Sequence, residues 1–166
     1  MSRESDAAYE RARYGGWRDT DRDCQRTRDE VLIAESLVPL RLDARGCRGL
    51  SGLWFDPFTA RLFTNPRDLD IDHLVPLKEA HESGGHAWHG DVRRAYANDL
   101  ANPSHLIAVH NGTNRSKGAR DPAEWLPPNA AYHCTYVRTW IEVKRAWNLS
   151  MDRAEVTAIR RVLKDC

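Results

Sequence analysis

The sequence predicts an α+β fold in which two short strands and the helix that follows them form a core, flanked by a small hairpin and further helices. Three observations carry this expectation. Residues 69–74 fit a strand ended by Pro76, and residues 106–109 are an apolar run of strand length closed by the turn chemistry of His110-Asn111-Gly112-Thr113. Aromatic and turn residues interleave over residues 53–63 around Asp56-Pro57, as in a hairpin. From Tyr136 onward, Val137, Trp140, Ile141, Val143, Lys144 and Trp147 recur near helical spacing, so the last third is mostly helical.

Taken in order, Val31-Leu32-Ile33-Ala34 with Leu37 and Val38 ahead of Pro39 predicts a helix over roughly residues 28–38 with one face inward. The hairpin follows and is read as scaffold. After the first core strand, residues 77–95 should hold short helical pieces broken at Gly84-Gly85. The second core strand runs into a turn, and Thr113 or Asn114 opens a helix. Asp121-Pro122 places a proline just after a capping Asp, predicting a short helix that Pro127-Pro128 stops, with Trp125 as packing. Asp152 and Glu155 have the spacing of a capping box ahead of Val156, Ile159, Val162 and Leu163.

Length and composition bound the rest. The 166 residues suit a single domain, with a core region at 68–128, an N-terminal extension over 1–67 and C-terminal helices over 129–166. The formal net charge is only +1, so no global field draws the chain to a polyanion or an anionic membrane, and any polyanion site must be local. No apolar run is long enough to span a bilayer, and residues 1–14 are too charged for an intact signal peptide. Cys24, Cys47, Cys134 and Cys166 form no Cys-x-x-Cys pair, which favours disulfides. Of three connectivities, 24 with 47 and 134 with 166 is the local choice, each bridge contributing about 3 to 4 kcal/mol. That reading makes the chain a mature secreted or periplasmic protein whose leader has been removed; the alternative is four buried free thiols in a cytoplasmic one.

The chemistry lies in Asp70-Ile71-Asp72-His73 and Asn114-Arg115-Ser116-Lys117-Gly118. A carboxylate beside an imidazole offers a hard oxygen ligand for a divalent cation and a group able to deprotonate water, and an Asn amide adds a neutral oxygen ligand. A strand end and a helix start can bring Asp72 and Asn114 to one ion, with a scissile phosphate between that ion and His73. Arg115, Lys117 and Arg120 supply positive groups for phosphates. Asp70 lies on the same strand face as Asp72 and is a further candidate around the ion. Asp19, Asp21, Asp23 and Glu30 have the spacing of an EF-hand calcium loop, although Cys24 stands where that loop wants glycine. A solvated acidic turn capping the next helix is the competing reading. His81, His86 and His89 are interrupted by Gly84-Gly85, with no Cys nearby, and read as solvated or contact residues rather than a zinc site.

These residues resemble a known family. Asp-x-Asp-His-x-Val-Pro, a His-Leu-Ile-Ala-Val strand, then Asn-Arg-Ser-Lys-Gly and Asp-Pro-Ala-Glu-Trp-Leu-Pro-Pro look like the HNH endonuclease superfamily with its ββα-metal fold. The branch they resemble is that of small, often secreted HNH proteins related to the C-terminal nuclease domain of GmrSD-type restriction enzymes. The resemblance implies His73 as general base, Asp72 and Asn114 as magnesium or manganese ligands, and His105, with Asn102 and Asn98 nearby, in the place that orients the catalytic loop. It implies a metal-dependent endonuclease acting on DNA, with RNA as a second candidate substrate and no obligate protein partner. The alternatives are a partner-dependent or modification-specific restriction, phage or effector nuclease, and a nonenzymatic nucleic-acid-binding module. A wholly structural reading makes Asp72-His73 a hydrogen-bonded pair and Asn114–Lys117 a helix cap with solvated charges. An ordinary imidazole at position 73 predicts activity falling below about pH 6.

Overall fold

Val31 and Leu32 anchor the first helix, α1 (Thr27–Glu35), because their side chains are buried while its charged face stays outside. This computed structural model describes residues 7–166; the first six residues of the charged N-terminal stretch lie outside it. The helix ends earlier than the expected residue 38. The pre-proline position disfavours helical backbone at Val38, and Leu37 instead donates its N–H to the Leu53 carbonyl at 2.7 Å, which leaves both apolar side chains exposed.

Two hairpins follow. Strands β1 (Arg41–Leu42) and β2 (Gly49–Ser51) pair antiparallel around a turn in which Asp43 Oδ1 accepts the Cys47 and Arg48 amides and Gly46 takes a left-handed φ of 73°. This pair was not expected, because its strands are too short to show a period-2 pattern. β3 (Trp54–Asp56) and β4 (Arg61–Phe63) form the expected second hairpin about Asp56-Pro57. Trp54 is fully buried and donates its indole N–H to the Leu32 carbonyl, tying the hairpin to α1.

The central ribbon pairs β5 (Leu69–His73) with the later β6 (Leu106–His110), antiparallel from Leu69 opposite His110 to His73 opposite Leu106. Between them lie α2 (Leu77–Glu82), a 3-10 turn at Gly85–Ala87 and α3 (Gly90–Ala97), matching the expected helical pieces. β6 passes straight into α4 (Asn111–Lys117), so the expected turn at 110–113 is instead the first turn of the helix. Gly118 ends α4 with a left-handed φ of 60° and an N–H to the Asn114 carbonyl. Residues 121–124 form one turn, held by Asp121 Oδ1 on the Ala123 and Glu124 amides, and no helix. The chain closes with α5 (His133–Ala146) and α6 (Arg153–Lys164), the latter opened by the expected Asp152–Glu155 capping box.

The ribbon separates two apolar layers. Leu69, Ile71, Leu106 and Ala108 pack with Val31, Leu32 and Trp54. Ile107 and Val109 join Phe58, Tyr96, Tyr136, Trp140 and Val143. Cys24–Cys47 and Cys134–Cys166 are bonded as the local pairing predicts. No helix among the described residues is long and apolar enough to cross a membrane.

Candidate active site

Helix α4 lies across β5 so that its i,i+3 spacing meets the strand's i,i+2 spacing. Asn114 Nδ2 donates to Asp70 Oδ2 at 3.2 Å, and one turn on, the Lys117 ammonium donates to Asp72 Oδ2. Asp72, His73, Asn114 and Arg115 line one cleft of about 360 Å³, together with Tyr9, Arg11 and Lys78. The two motifs separated in sequence therefore converge.

His73 is buried at the end of β5. Its Nε2 lies 3.0 Å from the Ala97 carbonyl. A carbonyl only accepts, so Nε2 carries the proton and Nδ1 keeps the basic lone pair. The Trp17 indole stacks on the imidazole with ring centroids 5.3 Å apart and planes 8° apart. Burial, reinforced by the nearby His105 ring, pushes the His73 pKa down to about 3. The expected activity loss below pH 6 presumed a solvated imidazole, and this environment replaces it with one that stays neutral.

Lys117 departs from the phosphate-facing position expected of it. Its side chain is fully buried, and its three ammonium hydrogens are used on Asp72, the His73 carbonyl at 2.9 Å and the Leu74 carbonyl at 2.8 Å. The ammonium also sits over the Phe58 and Tyr136 rings. Burial pushes the Asp72 carboxyl up and the Lys117 amine down, while each holds the other toward its charged form. Arg115 and Arg120 are exposed, with Arg120 Nε donating back to the Lys117 carbonyl.

His105, expected to orient the catalytic loop, bonds the backbone beside the base and not the base itself. Its Nε2 bonds the Tyr96 carbonyl at 3.0 Å, its ring packs edge-on against Tyr96, and it meets His73 only through a ring contact at 5.8 Å. The group that fixes His73 is the Ala97 carbonyl at the end of α3, and His105 secures the residue before it. Asn98 instead ties the Gly16–Arg18 segment and Thr27 together, and Asn102 caps Ser104. Ala97, Trp17 and Arg11 were missed because a backbone carbonyl and residues far off in sequence leave no spacing signal.

At the N-terminal acidic turn, the carboxylates of Asp19, Asp21 and Asp23 lie within 4.8 Å of one another. Asp19 accepts the Asp23 and Cys24 amides, and Asp23 accepts the Gln25 amide at 2.7 Å. Cys24 adopts a φ of 77°, the left-handed backbone for which such a loop uses glycine. Glu30 Oε2 is shielded from solvent with no hydrogen-bond partner.

A ββα unit that brings Asp-His on a strand to an Asn on the following helix defines a class of protein, and comparison gives the family. The model for "GmrSD restriction endonucleases, C-terminal domain" matches residues 44–162, and the chain belongs to that family. Membership points to a nuclease of the restriction-enzyme type. The chain is also similar to an "Uncharacterized secreted protein" of Arthroderma benhamiae, 39% identical over 158 residues that cover 95% of this chain and 76% of the relative. No solved structure matches it significantly.

Proposed function

We propose that the protein is a metal-dependent endonuclease that hydrolyses phosphodiester bonds of DNA, with His73 as the base that activates water. The observation that carries this is the His73 geometry: an imidazole lining the cleft beside the Asp72 carboxylate, with Nε2 held by the Ala97 carbonyl so that Nδ1 keeps the lone pair. A neutral base with a fixed lone pair needs no prior deprotonation to accept a proton from water.

The residues present fit a magnesium or manganese ion. Asp72 and Asn114 offer hard oxygen donors in one cleft, Asp70 stands beside Asn114, and a buried carboxylate balanced by a single lysine retains lone pairs for a cation. When bound, such an ion neutralises charge on the phosphate and on the departing oxygen. Lys117 holds Asp72 in place, Trp17 shields one face of His73, and Arg115 with Arg11 lines the cleft where phosphate oxygens would lie. The assay is nicking of supercoiled plasmid with magnesium, with manganese and with EDTA. Cleavage should require the metal, and Asn114→Ala should raise the metal concentration for half-maximal rate roughly tenfold. Equal cleavage in EDTA would remove the metal from the reaction.

The acidic turn supports a separate structural role for calcium, carried by Asp19, Asp21, Asp23 and the unpartnered Glu30 oxygen. Calcium should raise the Tm of the wild type and not of Asp21→Asn; equal melting with and without calcium would dispose of the site. The disulfides and the secreted relative support an extracellular setting for this chain.

A further inference from the structure

The net charge of +1 requires any polyanion site to be local, and one local gathering of arginines lies on the N-terminal extension. Two adjoining depressions of about 700 and 580 Å³ share Arg28, Asp29 and Arg48 in their walls and so form one groove. Six arginines and only two acids line it, with no lysine.

Arg28 is committed to the fold, donating to the Pro66 and Leu69 carbonyls. Arg26, Arg41, Arg45, Arg48 and Arg67 are exposed. Arg48 meets Asp43 only at 3.6 Å with three-quarters of its side chain exposed, a contact of little energetic weight. Asp43 itself is spent on the backbone of its turn.

The groove is braced. The Cys24–Cys47 bridge and the Gln25 side chain on the Gly46 carbonyl hold the Asp43–Arg48 turn against the start of α1, so the arginines of both walls have fixed backbones. It also reaches the cleft: Trp17 lines the groove and stacks on His73.

We propose that this arginine groove is the track for the phosphate backbone of the nucleic-acid substrate, delivering a strand past Trp17 to His73. The inference rests on the nuclease reading above. Exposed guanidinium forks pair with phosphate oxygens in two-point fashion without reading sequence. A concave, braced row of them suits an extended polyanion better than a flat anionic surface. The acidic turn Asp19–Asp23 borders the groove at Cys24, so calcium bound there would remove a local repulsion.

The test is fluorescence anisotropy of a labelled 20-mer DNA duplex with the full chain in EDTA, with salt varied. The variants are Arg41→Gln/Arg45→Gln/Arg48→Gln/Arg67→Gln and the corresponding quadruple lysine variant, each first shown to melt like the wild type. The glutamine variant should bind at least tenfold more weakly, with a log K against log salt slope shallower by about 3, as expected for the loss of three to four phosphate contacts. The lysine variant should keep most of the slope. Unchanged affinity and slope in the glutamine variant would overturn the track even if the enzyme cleaves. If the glutamine variant loses binding in this way while the wild type binds but does not cleave, the track stands and the nuclease reading is overturned instead.

Discussion

Lys117 looks in the sequence like one of three cations set out for phosphate, and its position is the opposite. With every ammonium hydrogen used inside the protein, it locks Asp72 and the backbone after His73 into one geometry. Removing it strands a buried carboxylate. Lys117→Met is therefore expected to destabilise the fold by about 3 to 5 kcal/mol, read as a lowered urea midpoint; a phosphate contact at the surface would leave that midpoint alone and weaken only DNA binding. His73 carries a second expectation. With its folded pKa near 3 and an unfolded value near 6.5, the unfolded chain takes up the proton first, so this residue's share of stability is present above pH 6.5 and is lost as pH falls toward 3. A ring-nitrogen NMR titration of the metal-free protein should show no protonation of His73 between pH 4.5 and 8, and a midpoint near 6.5 would show the imidazole to be solvated.

Helix α1 closes over β6 with Glu35, whose Oε2 accepts the Ala108 amide at 2.9 Å on the outer side of that strand. Burial pushes this carboxyl up to about 7, only partly offset by the amide. Its stabilising contribution is complete below pH 4.5, where the group is neutral in both states, and is lost as pH rises through 7. Glu35→Gln keeps an oxygen for the Ala108 amide and removes this titration, so its Tm advantage over the wild type should grow between pH 5 and 8. The gain at pH 8 is about 3 kcal/mol; parallel curves would place Glu35 in water. Elements with strong periodic or punctuated patterns were legible: β5, β6, the β3–β4 hairpin, α5 and α6 all stand where the apolar spacing puts them. Those that failed did so for local reasons. β1 and β2 are two and three residues long, the turn after Asp121 had prolines on both sides and no room to propagate, and α4 began at the strand's end because Asn111 and Gly112 accept helical backbone.

For the molecule as a whole, the cysteine spacing and the Asp72–His73 and Asn114 motifs were enough to anticipate the bridges and the convergence of the site. What sequence could not supply was everything set by long-range approach: the Ala97 carbonyl on His73, the Trp17 stack, the inward course of Lys117, and the gathering of arginines from positions 26 to 67 into one groove. Each depends on packing between segments whose separation carries no periodic signature. In the proposed mechanism His73 is the group on which the chemistry turns, because metal ligands and an arginine groove would bind DNA without cutting it. The deciding measurement is the rate of supercoiled-plasmid nicking by wild type and His73→Ala at saturating manganese and equal protein. A loss of at least about a thousandfold with DNA binding retained is predicted; a His73→Ala protein that folds and nicks at the wild-type rate would contradict the account.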